Sequence, residues 1–180
     1  MKEIFEIESG FPFKSSDWSN KGINIIKIKD ISSRTINIYN LTKVENIKQL
    51  QKAKRYHVTG GEIVIALTGS TLGKFGVIPP NFNGFINQRV GLAFPKYSYV
   101  SVIGIMLQEQ FMKKLINLSH GSAQSNISPE LINNMIINID LNSCKELDKN
   151  LTPVYKKILC NLEENKILKF VRNYFLNKYF

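Results

Sequence analysis

The last 27 residues of the chain, from Val154 to Phe180, contain neither glycine nor proline. Directly before them, Thr152 and Pro153 have the residue types that favour the N-cap and the first position of a helix. We therefore predict one C-terminal helix of roughly 40 Å, at 1.5 Å per residue. The polar residues 140–150 ahead of it predict a hinge, so the chain divides into a globular domain, 1–146, and a helical segment, 147–180.

Two apolar stripes run along this predicted helix, whereas a helix that packs only on its own domain needs one. We expect one stripe to face a second helix, and its asparagines to fix the register of a coiled coil. This stripe comprises Leu151, Val154, Ile158, Asn161, Asn165, Leu168 and Phe175. The other stripe comprises Tyr155, Leu159, Leu162, Phe170 and Tyr174. The alternative is a C-terminal helix that is buried within a monomer.

The residues before the helix predict many short strands and few helices. Apolar runs that alternate or are bounded by glycine and proline indicate strands, and apolar spacings of three and four indicate helices. The predicted strands cover residues 23–31, 34–39, 63–67, 75–78, 89–94 and 137–139. One helix is predicted over 102–118 with Gly121 as its stop, and another over 131–135 after Ser128 and Pro129. The predicted fold class is α+β.

The net charge of +10 favours a polyanionic partner, either nucleic acid or an anionic membrane. Residues 9–60 hold ten basic and three acidic side chains, so most of the excess lies in the first third of the chain. Lys, Ile and Asn fill over a third of the sequence, as an AT-rich genome would produce, but such a bias would spread lysine evenly. We predict a phosphate-facing surface within residues 9–60, with a solvated charged face as the alternative.

Composition argues against several other classes of protein. Cys144 and Cys160 lack a metal-binding spacing, and His57 and His120 lie far apart, so we expect neither a disulfide framework nor a zinc site. No apolar run approaches the roughly 20 residues that span a bilayer. The N-terminus carries three glutamates and no apolar core of a signal peptide. We expect a cytoplasmic protein without membrane association.

The glycine turn at residues 68–75, TGSTLGKF, falls one residue short of a phosphate-binding loop, and a strand follows it instead of a helix. The acidic residues Asp17, Asp30, Glu62 and Glu130 are isolated in the sequence, so no nuclease cluster is predicted. No motif supports catalysis, a metal or a cofactor. Lys74 at the end of the turn stays a candidate contact to a DNA phosphate.

Residues 10–15, GFPFKS, and 26–31, IKIKDI, resemble the opening of the target recognition domain found in specificity (S) subunits of type I restriction–modification systems. Residues 61–74, GEIVIALTGSTLGK, resemble its strand and glycine turn, and residues 87–90, NQRV, the segment that follows. Residues 121–128, GSAQSNIS, resemble the loop before the last short helix. The order of these segments, followed by a long helix, covers essentially the whole chain.

The resemblance implies a non-catalytic subunit that reads DNA for other subunits. Family members carry two target recognition domains and two long helices with pseudo-twofold symmetry, and this chain resembles one half of that arrangement. Each domain would read one half of a split double-stranded DNA target. Methylation and cleavage would belong to the methyltransferase (modification) subunits and the restriction subunit. A half subunit leaves the helix without a partner, so we predict an antiparallel homodimer through residues 151–180, with closed twofold symmetry.

The resemblance also suggests which residues contact DNA. Phosphate contacts are expected from basic side chains and the glycine turn, and base contacts from Arg, Asn and Gln, whose side chains can bond two atoms of one base. The predicted DNA-binding residues are Lys14, Ser15, Lys27, Lys29, Arg34, Ser70, Thr71, Lys74, Gln88, Arg89, Gln124 and Asn126. The alternative for residues 87–89 is structural, since buried Asn, Gln and Arg often hold loops together.

Two other functions stay open on the sequence alone. The chain could be the recognition portion of a fused methyltransferase–nuclease, which would require active-site residues outside these 180. It could also be a dimerising interaction protein whose lysines only reflect genome composition. Salt-dependent binding to random duplex separates the latter from a DNA reader, because phosphate neutralisation gives a steep slope.

Overall fold

The computed structural model describes residues 1–32, 34–119 and 126–180. The strands are β1 (Phe5–Ser9), β2 (Trp18–Ser19), β3 (Ile23–Ile26), β4 (Ile31–Ser32), β5 (Arg34–Ile36), β6 (Thr42–Val44), β7 (His57–Val58), β8 (Ile63–Ala66), β9 (Phe75–Val77), β10 (Gly84–Ile86) and β11 (Val90–Pro95). The helices are α1 (Ile47–Lys52), α2 (Tyr99–Met106), α3 (Glu109–Ser119), α4 (Pro129–Asn133) and α5 (Leu141–Tyr179). This confirms the predicted α+β class with short strands and a long C-terminal helix.

The strands form two sheets that pack face to face. The first sheet has the order β1-β11-β8-β9-β5-β4, and the second has the order β2-β6-β3-β10-β7. Most neighbours are antiparallel, but β5 pairs with β9 and β3 pairs with β10 in parallel. These mixed sheets place the loop after β3, the glycine turn after β8 and the loop after β10 in one region of the domain.

Strand β8 shows why a short run of apolar residues suffices for a central strand. All four of its residues are buried, because the sheet is covered on both faces. Ile63 and Ile65 face a core shared with the helices, whereas Val64 and Ala66 face the core between the two sheets. The far face of the second sheet holds a smaller core that includes Phe85. The predicted strand over 63–67 is therefore confirmed.

Three predicted elements differ from the structure. The alternation in residues 26–29 does not continue β3, because the Asp30 carboxylate accepts a hydrogen bond from the Lys27 backbone N–H at 2.8 Å and closes a 3₁₀ turn. The helix predicted over 102–118 is two helices, separated where the Gln108 N–H bonds to Ile105 instead of continuing the α-helical pattern. Residues 137–139 are not a strand. Gly121, the predicted helix stop, lies outside the described residues.

The long helix begins twelve residues earlier than its sequence suggests, at Leu141 instead of Pro153. Asp140 is the N-cap, and its carboxylate accepts hydrogen bonds from the N–H groups of Asn142 and Ser143 at 3.2 and 3.0 Å. Thr152 does not act as a cap, because its hydroxyl donates to the carbonyl of Asp148 within the helix. Pro153 therefore lies in the helix interior, where it removes one backbone hydrogen bond. The predicted hinge at 140–150 is wrong, and the division of the chain at residue 147 stays a prediction.

The N-terminal half of α5 is docked on the globular part of the chain. The Asp148 carboxylate accepts hydrogen bonds from the backbone N–H and hydroxyl of Ser101, at 2.9 and 2.6 Å, and from the hydroxyl of Ser98, the N-cap of α2. Gly104 allows close packing of the two helices, since a Cβ there would lie 2.9 Å from a methyl group of Leu147. Within the described residues, no helix has the length and apolar character needed to cross a membrane.

Candidate nucleic-acid interface

Seven of the twelve predicted DNA-binding residues line three clefts that share residues and so form one continuous surface. The central cleft joins the loop after β3 to residues 87–89, and its lining includes Lys27, Lys29, Gln88 and Arg89. A second cleft shares Lys29 with it and extends to the glycine turn. A third shares Gln88 and Arg89 and extends to the segment before α4. The fold therefore brings together side chains that are up to about a hundred positions apart in the sequence.

Lys27 is held in the central cleft by an aromatic side chain. Its ammonium lies 3.7 Å from the centroid of the Trp18 ring, a distance typical of a cation–π contact. Desolvation by partial burial, together with the nearby charge of Lys29, lowers the pKa of the Lys27 ammonium. Asp30 opposes this effect, and its own pKa is raised by burial. An anion at this position would be held by two close ammonium groups, of which one is already partly dehydrated.

Arg34 lies in the second cleft with a backbone that few residues adopt. Its φ is +66°, in the left-handed region that disfavours side chains with a Cβ. Its guanidinium lies 4.3 Å from the centroid of the Phe75 ring, so the planar group is stacked and pre-oriented. Lys29 and Lys74 line the same cleft, which has a volume of about 860 Å³. The arrangement offers three cations to a single stretch of polyanion.

The glycine turn positions Lys74 at the edge of this cleft. Residues 69–71 form a 3₁₀ turn in which the hydroxyl of Thr71 donates to the carbonyl of Thr68 at 3.2 Å. Gly73 has φ of +77°, and a Cβ there would meet the side chain of Met112 at 2.6 Å. Ser70 is exposed. Thr71 is thus engaged in the turn itself, whereas Ser70 and Lys74 present their polar groups to solvent.

In the loop of residues 87–89, one side chain supports the loop itself and the other two are exposed. Asn87 is half-buried, and its side-chain oxygen accepts a hydrogen bond from the Gln88 N–H at 2.8 Å. Gln88 and Arg89 are exposed, and their side chains have no hydrogen-bond partner among the residues that the structure describes. Asn126 lies beside them through a bridge to Thr68. The predicted residue Gln124 lies outside the described residues.

Lys14 and Ser15 are exposed at the start of a 3₁₀ turn of residues 15–17. The Asp17 carboxylate fixes this turn by accepting a hydrogen bond from the Lys14 backbone N–H at 2.7 Å. Neither residue lines the clefts described above, although Pro12 and Phe13, which precede them in the sequence, do line two of these clefts. Lys14 and Ser15 therefore lie next to the continuous surface and not within it.

A fourth cleft, of about 880 Å³, extends this surface and contains residues that we did not predict. It shares Trp18 and Lys27 with the central cleft and adds Tyr39 and Lys43. The sequence did indicate the region that contains these two residues, because both lie in the basic segment 9–60. Arg55 of the same segment is not part of the surface, since its guanidinium pairs with the carboxylate of Glu8. A count of basic residues therefore overestimates how many cations this surface offers to an anion.

Within residues 1–32, 34–119 and 126–180, no three His, Cys, Asp or Glu side chains are grouped so that they could hold a metal ion. The clefts are lined instead by cations, amides and a few aromatic rings. Such a surface suits recognition of a phosphate backbone and of base edges.

Comparison with known proteins identifies the architecture. No family model and no curated protein matches the chain. A solved chain from a study of complex assembly and conformational transition of the type I R-M system matches with a TM-score of 0.56 and 14% identity, over 98% of this chain and 43% of that one.

Two further solved chains are similar to a lesser degree. The HsdS subunit from Thermoanaerobacter tengcongensis gives a TM-score of 0.49 at 11% identity, over 91% of this chain and 37% of that one. The type I restriction–modification S subunit from M. genitalium gives 0.41 at 18% identity, over 92% and 42%. This chain thus spans less than half the length of the solved chains that it matches. At the level of the fold this agrees with the predicted resemblance: the chain has the fold of the solved chain from the type I R-M system.

Proposed function

We propose that this chain is a DNA sequence-specificity subunit of a type I restriction–modification system and reads one half of a split target. The observation that carries the proposal is the continuous surface, where Lys27, Lys29, Arg34, Lys74 and the loop of residues 87–89 converge. A surface on which cations alternate with exposed amides matches the two needs of sequence reading. Cations hold the phosphates, and amide or guanidinium groups bond to base edges.

The proposed contacts follow from chemistry and exposure. Phosphates are contacted by the lysines, by Arg34 and by the glycine turn with its Ser70 hydroxyl. Base edges are read by Gln88, Arg89 and Asn126, and Gln124 is proposed as a fourth reader. Thr71 supports the turn instead of contacting DNA directly, because its hydroxyl is already bonded within the turn.

The chain itself performs no catalysis in this proposal. It positions methyltransferase and restriction subunits, which supply the methylation and cleavage chemistry, and it needs no cofactor of its own. Its substrate is cellular double-stranded DNA, so the proposal places it in the cytoplasm. The resemblance to S subunits and the cleft chemistry support this role.

We also propose that the chain acts as a homodimer through α5. Of the two apolar stripes, one is partly used in docking, because Tyr155, Leu159 and Leu162 pack against the core of the globular part. The stripe predicted for pairing is exposed along its whole length; Leu151, Val154 and Ile158 are 40, 52 and 40% exposed. An apolar stripe of this length in water favours association with a second helix. The docked stripe thus leaves the pairing stripe available.

Binding to random-sequence duplex at several salt concentrations tests the proposed DNA role. Each neutralised phosphate contributes about −0.9 to the slope of log K against log salt. With four or five phosphate contacts we expect a slope of about −4 (roughly −0.9 per contact) and tighter binding to the cognate target. Absence of duplex binding at low salt would leave a dimerising interaction protein as the better account.

A further inference from the structure

The exposed stripe on α5 follows a strict coiled-coil spacing over nine positions. Successive members are three and four residues apart in alternation from Leu151 to Tyr179. The complete set is Leu151, Val154, Ile158, Asn161, Asn165, Leu168, Arg172, Phe175 and Tyr179. All nine are exposed in the single chain. Such a 3–4 repeat keeps one seam facing a partner helix along four turns or more.

The seam is symmetric about one point of the helix. Leu151 and Phe175 lie equally far from position 163, and so do Ile158 and Leu168. The two asparagines, Asn161 and Asn165, flank the same position. When two copies of the helix pair antiparallel with the twofold axis at position 163, the two apolar pairs just named meet across the interface and Asn161 meets Asn165 of the other copy. In an antiparallel pair each layer joins one residue of each heptad type, as this arrangement requires.

We infer that the second copy of the chain binds in this one register, with the twofold axis at position 163. The inference rests on the proposed homodimer and specifies its interface. A shift by one heptad would place Asn165 against Val154 or Leu168, and the buried amide would lose its hydrogen-bond partner. An unsatisfied buried amide costs about 1–3 kcal/mol. The paired asparagines therefore select the register.

The charged member of the seam selects the antiparallel direction. In a parallel pair each residue meets its own copy, so Arg172 would face Arg172 across the interface. Two like charges at such short range are unfavourable. In the antiparallel register Arg172 meets the uncharged Val154, and a long arginine side chain can keep its guanidinium in solvent while its stem lies on apolar surface. A parallel pair would also satisfy the hydrogen bonds of the asparagine amides, so Arg172 is the residue that favours the antiparallel direction.

The globular part leaves the seam accessible. Docking uses the adjacent face of α5, through Asp148, Tyr155 and Leu159. Beyond Lys166 every residue of the helix is exposed, and this distal stretch contains Phe170, Tyr174 and Phe175. In the inferred register, the distal stretch of one copy lies alongside residues 146–159 of the other.

Distances between spin labels on the two copies test the register in the full-length chain. We replace the exposed Cys160 by serine, leave the buried Cys144, and label Lys156→Cys in one sample and Asn177→Cys in another. At 1.5 Å per residue, the separation along the helix is about 21 Å for position 156 and about 42 Å for position 177. The same protein without an introduced cysteine takes up no label and serves as the control.

Register errors change the two distances in opposite directions, because the labels lie on opposite sides of the axis. A shift of one heptad lengthens one separation by about 10 Å and shortens the other by the same amount. A parallel pair gives short and equal distances at both positions. Either result, or a monomer at tens of micromolar, overturns the inference. None of these outcomes bears on DNA binding, which is measured separately.

A double variant tests the role of the asparagines. Asn161→Leu with Asn165→Leu removes the amides and keeps an apolar seam, so dimerisation should tighten at least tenfold. The distance distributions should broaden into more than one population, since apolar layers tolerate shifted registers. A single unchanged distance at both labels would show that the asparagines do not select the register.

Discussion

At the scale of single residues, the candidate interface separates side chains that hold the fold from those left free to bind. The side chains of Thr71 and Asn87 form hydrogen bonds within the turns to which they belong. Lys74 and Arg89 lie at the ends of these turns with exposed charges. Sequence alone could not make this separation, because it depends on which carbonyl or N–H lies within reach.

Lys74→Ala should weaken binding to all duplex sequences equally. Removing one phosphate contact should reduce the magnitude of the salt slope by about 0.9. Fluorescence anisotropy at four salt concentrations measures both quantities. Lys48→Ala is the matched control, because Lys48 is an exposed lysine of α1 that lines none of the clefts. An unchanged slope for Lys74→Ala would remove this residue from the interface.

We predict that the folded chain loses stability at high pH because the phenol of Tyr155 is partly buried. Its hydroxyl donates to the carbonyl of Gly61, and burial raises the pKa of this phenol above its usual 10.0, while the pKa of Tyr99 nearby rises to about 12. Because both phenols are held neutral in the folded state, their stabilisation is complete below pH 10 and is lost as pH rises above it.

Urea midpoints from pH 8 to pH 11 measure this loss. Tyr155→Phe should lower stability by about 1 kcal/mol at pH 8, through the lost hydrogen bond, and should reduce the decline above pH 10. Tyr179→Phe, at an exposed position of the same helix, is the control and should keep the full decline. A decline of the same size in Tyr155→Phe would contradict the assignment.

At the scale of elements, α5 is both a domain component and a free helix. Its first half is fixed by Asp148 and by the close packing at Gly104, and beyond Lys166 it extends with every side chain exposed. Two stripes could be found from spacing alone. The asparagines also marked one stripe as the one left for a partner, but how far the other stripe docks depends on the shape of the globular surface.

Asp148→Ala should loosen the docking of α5. Three donors from Ser98 and Ser101 would lose their acceptor, and the Ser101 backbone N–H would stay buried without a partner. We expect a loss of about 1–3 kcal/mol in the free energy of unfolding, measured by urea titration. Lys149→Ala, at the exposed neighbouring position, should change stability by less than about 0.5 kcal/mol.

Ile158→Asp should dissociate the proposed homodimer. The substitution places a charge in the seam, and light scattering at tens of micromolar should report a monomer that still binds duplex non-specifically. Ile167→Asp is matched in chemistry and lies outside the seam, so it should stay dimeric. The two isoleucines are 40 and 55% exposed in the single chain. Equal behaviour of the two variants would place the interface elsewhere.

At the scale of the whole molecule, residue patterns predicted the α+β class and the central strand at 63–67, because burial on both faces leaves a continuous apolar run. They misplaced the start of α5, since Thr152 and Pro153 have the residue types of a helix start yet lie inside a helix capped by Asp140. Clefts that join residue 29 to residue 89 are set by sheet topology, which short-range patterns do not encode.

The central claim is that this chain directs a methyltransferase to a specific DNA target. Mapping methylated adenines in a strain that carries the chain with its methyltransferase subunit tests it most directly. The account predicts methylation at one interrupted motif whose two halves are inverted repeats of each other, and loss of that methylation when Ile158→Asp replaces the native chain. Methylation that is independent of the chain, or confined to a continuous motif without a spacer, would contradict it.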